Sequence, residues 1–145
     1  MRTFSCDIET DGIDATKVWC IAVHNIDTDQ VITFAGSCLN LFKPWLESEA
    51  DCLIFHNGIS FDVRILRRLL GVNIKINQMR DTLVMSQLFN PVRDKGHSLQ
   101  SWGEILHYPK MECEDFSTYT DDMLEYCKND VNLTETLYKQ LFCCQ

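Results

Sequence analysis

The sequence predicts a sandwich of sheet and helices, α+β or mixed α/β, on three observations. Three strand-like stretches open the chain, from Arg2 to Glu9, Lys17 to Asn25 and Gln30 to Ala35, joined by short turns rich in Asp, Gly and Thr. That pattern is an antiparallel meander. The run Cys52-Leu53-Ile54-Phe55 is apolar throughout and too short for a helix, which reads as a buried parallel strand. Segments of helical period then fill the rest of the chain.

Taken in order, an amphipathic stretch around Leu39 to Glu49 leads into that fourth strand. From Phe61 to Leu70, Val63, Leu66 and Leu70 recur at helical spacing, with Ile65 and Leu69 alongside, and Gly71 supplies the stop. Asp81 caps a short helix running through Phe89, and Asn90-Pro91 with Asp94-Lys95-Gly96 forms a loop. A helix from His97 to His107 follows, with Leu99, Trp102, Ile105 and Leu106 as its buried stripe. The final helix spans about Asp121 to Phe142, capped by Thr120, with Asp121 and Asp122 suiting the dipole of its first turn. No internal repeat or low-complexity segment interrupts the pattern.

A chain of 145 residues, 46% hydrophobic and 23% charged, has material for one core, so one domain over residues 1–145 is expected. No apolar run approaches the roughly 20 residues that span a bilayer. The N-terminus enters a strand pattern without a signal-peptide profile, so a soluble, cytoplasmic protein with no membrane partner is expected. The eight cysteines (Cys6, Cys20, Cys38, Cys52, Cys113, Cys127, Cys143 and Cys144) include no C-x-x-C pair. Several lie inside strand or helix patterns, which favours reduced, mostly buried thiols over disulfides or zinc, with Cys143 and Cys144 exposed and open to oxidation. A net charge of −8 argues against coating nucleic acid by counterion release. It leaves room for an enzyme whose acids bind divalent metals and so reverse the local sign.

Strand period puts Phe4, Cys6 and Ile8 on one face of the first strand and Ser5, Asp7 and Glu9 on the other. Asp7 and Glu9 therefore converge, although an acidic outer face on an edge strand gives the same alternation. On the final helix, Tyr126, Asp130, Leu133 and Leu137 form one row, so Asp130 faces the protein body with no basic residue three or four positions away to pair it. A break near Lys128-Asn129-Asp130 would instead make Asp130 a cap. Between these, Phe55-His56-Asn57-Gly58-Ile59-Ser60-Phe61-Asp62 ends a strand in Asn and Gly and starts a helix near an acid, the place where open sheets put functional groups. An ordinary turn followed by a first-turn acid is the competing account.

Together, Asp7-Ile8-Glu9-Thr10, Asn57 to Phe61-Asp62 and Tyr126-x-x-x-Asp130 resemble the three motifs of the DEDD exonuclease superfamily in its tyrosine variant. The histidine variant would need its base five residues before the last aspartate, where this chain has Glu125. Phe55 to Gly58, Asp81 to Val84 and His97 to Gly103 are similar to segments of the 3′→5′ proofreading domain of phage-type family A DNA polymerases. Phe61 stands where tyrosine is common, and the segment between Leu88 and Tyr126 is shorter than in the phage polymerases.

The resemblance implies an RNase H-like fold, a central mixed five-stranded sheet with three antiparallel leading strands flanked by helices. It also implies two Mg²⁺ or Mn²⁺ ions about 3.5–4 Å apart, a separation suited to in-line phosphoryl displacement. Asp7 would bridge them, Glu9 and Asp130 would complete one ion's site, and Asp62 would hold the other largely through water. Tyr126 would orient the attacking water. Thr10, Ile13, Asn57 and Phe61 would grip the terminal nucleotide, Ile13 as an apolar wedge, unless Ile13 is a buried loop hydrophobe.

The expected activity is removal of 5′-mononucleotides from the 3′ end of single-stranded DNA by a free-standing enzyme. A DNA polymerase is a candidate partner, and a host-cell cytoplasm the location if the source is viral. An RNA exonuclease and a catalytically idle module docking a polymerase or host factor are the alternatives. Arg64, Arg67 and Arg68 share a helix face that meets either a phosphate backbone or solvent, and His97 is either a substrate contact or a helix-start residue.

Overall fold

A computed structural model describes residues 1–108 and 111–143, so Cys144 lies outside the described residues. Among the described residues, five strands form one mixed sheet: β1 (Thr3–Thr10), β2 (Val18–Asn25), β3 (Val31–Ala35), β4 (Cys52–Phe55) and β5 (Met79–Asp81). They stand in the order β3-β2-β1-β4-β5, with the leading three antiparallel and β4 and β5 parallel to β1. The expected mixed sheet is therefore present. β1 is central rather than an edge strand, paired with β2 on one side and β4 on the other.

Phe4, Cys6 and Ile8 join Ile21, Val23, Leu53 and Phe55 in the main core. Above them lie the helices α1 (Phe42–Glu49) and α2 (Asp62–Leu70). Phe4, Phe34, Phe42 and Trp45 form a ring cluster under α1, with centroids 4.9 to 5.8 Å apart. A 3-10 turn, Gly36–Leu41, takes the first part of the amphipathic stretch, so α1 starts only at Phe42. In α2, Val63, Ile65 and Leu66 are buried, and Gly71 ends the helix at φ 64°, where Val72 N–H donates to Leu66 O at 3.2 Å.

The opposite face of the sheet meets α5 (Asp121–Cys143), with α3 (Thr82–Phe89) and α4 (Leu99–Ile105) beside it. Helix α5 is continuous through Asp130, and Thr120 Oγ1 accepts from Met123 N–H at its start. Ser5 Oγ donates to Val131 O at 2.9 Å, and Cys127 Sγ donates to Asp7 O at 3.3 Å. Four helical residues rise about 6 Å and two strand residues about 6.6 Å, so α5 runs antiparallel to β1 in step with it.

Helix α4 is shorter than the sequence suggests. Ser98 caps it by accepting from Ser101 N–H, and His97 stays outside, its Nδ1 2.7 Å from Ser86 Oγ. Trp102 Nε1 donates to the same hydroxyl at 2.8 Å. Leu99 and Trp102 are buried against Leu133, Leu137 and Leu141, while Ile105, expected in the stripe, is exposed because the helix ends there. The described cysteines are free thiols: Cys6, Cys20, Cys52 and Cys127 are buried, Cys38 and Cys143 exposed, and Cys113 intermediate. Among the described residues, no helix is long and apolar enough to cross a membrane.

Candidate active site

The carboxylates predicted from separate segments meet at the C-terminal end of β1. Glu9, Asp62 and Asp130 are 7%, 5% and 5% exposed, and Asp7 is half-buried with its Oδ2 enclosed. Carboxylate oxygens of Asp7 and Glu9 lie within 4.8 Å of each other and of Cys127 Sγ. Register slips between Glu9 and Thr10, where Thr10 pairs with Val18 and Trp19 is the extra residue. Such bulges re-aim side chains at strand ends.

Asp130 and Tyr126 come from the row of α5 next to Cys127 and Val131, so the helix–strand register above fixes where they stand. The ring of Tyr126 meets Phe116 edge-on at 6.2 Å and borders a cleft of about 280 Å³ shared with Gln100, Met111 and Cys113. Asp62 comes from the first turn of α2, delivered by a loop that Asp81 holds. The Asp81 carboxylate accepts from Asn57 N–H at 2.9 Å, Ile59 N–H at 3.1 Å and Leu83 N–H at 3.0 Å. Asn57 takes a left-handed φ of 65°, and Gly58 lies so close over the Phe55 side chain that a Cβ would clash with it. His56 Nδ1 sits 2.8 Å from Thr82 Oγ1, which in turn donates to Phe55 O at 3.1 Å.

So many acids in one place disfavour their own ionisation. Burial first, then the charges of Asp130, Glu9 and Asp62, pushes Asp7 well above the ordinary carboxylate range. Burial, then Glu9, does the same to Asp62, with hydrogen bonds from the Asp62 and Ile8 backbone offsetting part of it. Asp7 Oδ2 and Asp62 Oδ2 are buried without a hydrogen-bond partner. Enclosed anionic oxygens of this kind call for a cation, and an oxygen donor set suits a hard divalent ion. The residues therefore fit the metal that the motifs imply.

The substrate residues named from sequence divide. Ile13, 89% exposed at the tip of the β1–β2 loop, is not a buried hydrophobe. It lines a cleft of about 380 Å³ with Phe61. Thr10 is buried, its hydroxyl donating to Gly12 O at 2.9 Å, and Asn57 is fixed from the other side by Asp81. Sequence reading missed the holding role of Asp81, for which Asp-Thr at a strand end was the available signal. It also missed the buried His24, whose Nδ1 is 2.6 Å from Glu135 Oε2 and whose Nε2 is 3.3 Å from Asp29 Oδ1. No signal in the sequence links those three positions.

This mixed sheet, sandwiched by helices and ending in a buried acidic cluster, defines an RNase H-like α/β nuclease domain. The family of 3′-5′ exonuclease domains matches residues 1–142, and the chain belongs to it, as an exonuclease of the DEDD type. Divalent metal ions are the cofactors of that type. Among solved structures, Brucella melitensis NrnC with bound Mg²⁺ is similar at 20% identity and TM-score 0.72, over 96% of this chain and 71% of that one. The family B DNA polymerase of the archaeon Pyrobaculum calidifontis is similar at 15% identity and TM-score 0.72, over 98% of this chain and 24% of that one. The catalytic core of RRP6 from Trypanosoma brucei is similar at 16% identity and TM-score 0.70, over 96% and 40%. At these identities the three likenesses show a common fold. No curated protein matches the chain in sequence.

Proposed function

We propose that the chain is a tyrosine-variant 3′→5′ exodeoxyribonuclease in which Asp7, Glu9, Asp62 and Asp130 hold the metal ions. The observation that carries the reading is the pair of buried, unpartnered oxygens on Asp7 and Asp62, contributed by segments more than 50 positions apart. When bound, the ions supply positive charge for an in-line phosphoryl displacement and an acidified water. Tyr126, one turn before Asp130, would orient the attacking water through its phenol rather than take its proton, because a free phenol pKa is near 10. Ile13 and Phe61 present apolar faces to the terminal bases, a contact that does not read sequence. Thr10 and Asn57 shape the backbone on the two sides of the terminal nucleotide.

Single-stranded DNA is the favoured substrate because the Phe55 to Gly58, Asp81 to Val84 and His97 to Gly103 segments resemble polymerase proofreading domains. Proofreading of DNA synthesis is the role that follows. RNA is the rival, since RRP6 and NrnC share the fold and one NrnC structure holds pGG. The test is digestion of 5′-labelled single-stranded DNA and RNA of one sequence, in Mg²⁺ or Mn²⁺, by wild type, Asp7→Ala and Asp130→Ala. A stepwise DNA ladder lost in both variants is expected. A ladder on RNA alone would transfer the activity to RNA, and a wild type inert on both would leave the idle docking module.

A further inference from the structure

We propose that Arg64, on the α2 wall of the cleft that Ile13 and Phe61 line, takes the 5′ phosphate of the nucleotide upstream of the scissile bond. The inference rests on the exonuclease reading and adds a subsite outside the acidic cluster. The cleft, about 380 Å³, has Ile13 and Asp14 on one wall and Phe61, Arg64 and Arg68 on the other. Phe61 directly precedes Asp62, so the cleft begins where the acidic cluster ends. Arg64 and Arg68 are one i, i+4 step apart on one side of α2, and Ser60 lies in the turn before it. Arg64 therefore stands about 3 Å, and Arg68 about 9 Å, along the axis from Asp62.

The chemistry of that wall is unlike the rest of the molecule. Three of the chain's 13 basic residues fall within the five positions 64 to 68 of a protein with net charge −8. Two of them reach the cleft, and they outnumber its one acid, Asp14. They do different things. Arg68 donates to Ala15 O, tying the loop to α2 and fixing the cleft's far wall. Among the described residues no ion pair involves Arg64, and its side chain is exposed.

An apolar wedge and an aromatic face beside a cation suit a base and a phosphate together. The loop that carries the wedge is itself held rigid. Asp11 accepts from Thr16 N–H at 2.8 Å, Lys17 N–H at 3.1 Å and the Thr16 hydroxyl, and Asp11 N–H donates to Lys17 O at 3.2 Å. Ile13 is thus presented on a built turn.

The experiment compares wild type, Arg64→Ala, Arg64→Lys and Arg67→Ala, the last an equal loss of charge from the same helix outside the cleft. Each digests an octanucleotide and an unphosphorylated dinucleotide, whose only phosphate is the scissile one. For Arg64→Ala, KM on the octanucleotide should rise about three- to fivefold with kcat unchanged, the scale of one exposed ion pair. Its salt slope should fall by about 0.7. On the dinucleotide it should match wild type, Arg64→Lys should recover most of the loss, and Arg67→Ala should behave as wild type. Equal effects of Arg64→Ala and Arg67→Ala, or an Arg64→Ala defect as large on the dinucleotide, would overturn the subsite while leaving the exonuclease intact. A wild type that degrades neither substrate would remove the exonuclease reading, and the subsite with it.

Discussion

Replacing Asp62 with Asn should make the metal-free protein more stable while disabling it. Asp62 is 5% exposed, its Oδ2 is buried without a partner, and its strongest charged neighbour is the anionic Glu9. An amide of the same shape keeps an acceptor for the backbone hydrogen bonds, removes one buried charge and turns two N–H donors toward anionic oxygens. Leaving a buried polar group unsatisfied costs about 1–3 kcal/mol, so relief of that order is expected. For a chain of this size it corresponds to a rise in Tm of about 3–8 °C. In wild type, Mg²⁺ at a hundred times its Kd adds about 2.7 kcal/mol, and the variant should gain only part of it. Thermal melts of both proteins in EDTA and in saturating Mg²⁺ should therefore show the variant leading without metal and losing its lead with it. Hydrolysis should fall by about two orders of magnitude or more. A variant less stable than wild type in EDTA, or one with the full Mg²⁺ gain, would refute an acidic cluster built around a cation.

The same cluster sets a pH dependence: Asp7 and Asp62 have folded pKa values above the ordinary range, so their contribution favours folding fully below about pH 4. It is lost as pH rises through the raised values, so denaturant melts in EDTA should show stability falling with pH, a decline that saturating Mg²⁺ flattens. Gly58→Ala should displace the loop carrying Asp62, because a Cβ there meets the Phe55 side chain. A lower Tm and a lower kcat are both expected, and a fully active variant would contradict the close approach. Asp81→Ala leaves three backbone donors without their acceptor. It should cost about 2–4 kcal/mol and speed amide exchange at Asn57 and Ile59 before it does so in β1.

Much of this site was legible because its residues break local patterns. Asp130, one acid in an otherwise apolar helical row, is an anomaly that burial makes costly, whereas Asp7 and Glu9 share a strand face in a pattern that an exposed acidic edge would also give, and only the two motifs downstream single them out. The termini of α2 and α5 were legible through Gly71 and Thr120, since a left-handed stop and a hydroxyl cap are local chemistry. What depended on distant contacts was not. Ile105 looks like the continuation of a buried stripe, yet Ser98 starts α4 late and the helix ends at Ile105 on the surface. His24 carries no anomaly in its own strand, because the carboxylate that meets it lies 111 positions away on α5. Whether Ile13 was wedge or core turned on how Asp11 folds the loop, a question of geometry that hydrophobicity leaves open.

The position of β1 has a bearing on when such an enzyme becomes dangerous. Among the described strands β1 is made before the others yet lies in the middle of the sheet, and Asp130 reaches its acids only once residues 121–143 have been added. A polypeptide interrupted before that helix would keep all five described strands but lack one wall of the cluster. With Asp130 among the proposed metal ligands, a copy cut before α5 is expected to lose hydrolysis of nucleic acid while the strands that carry the other acids still form.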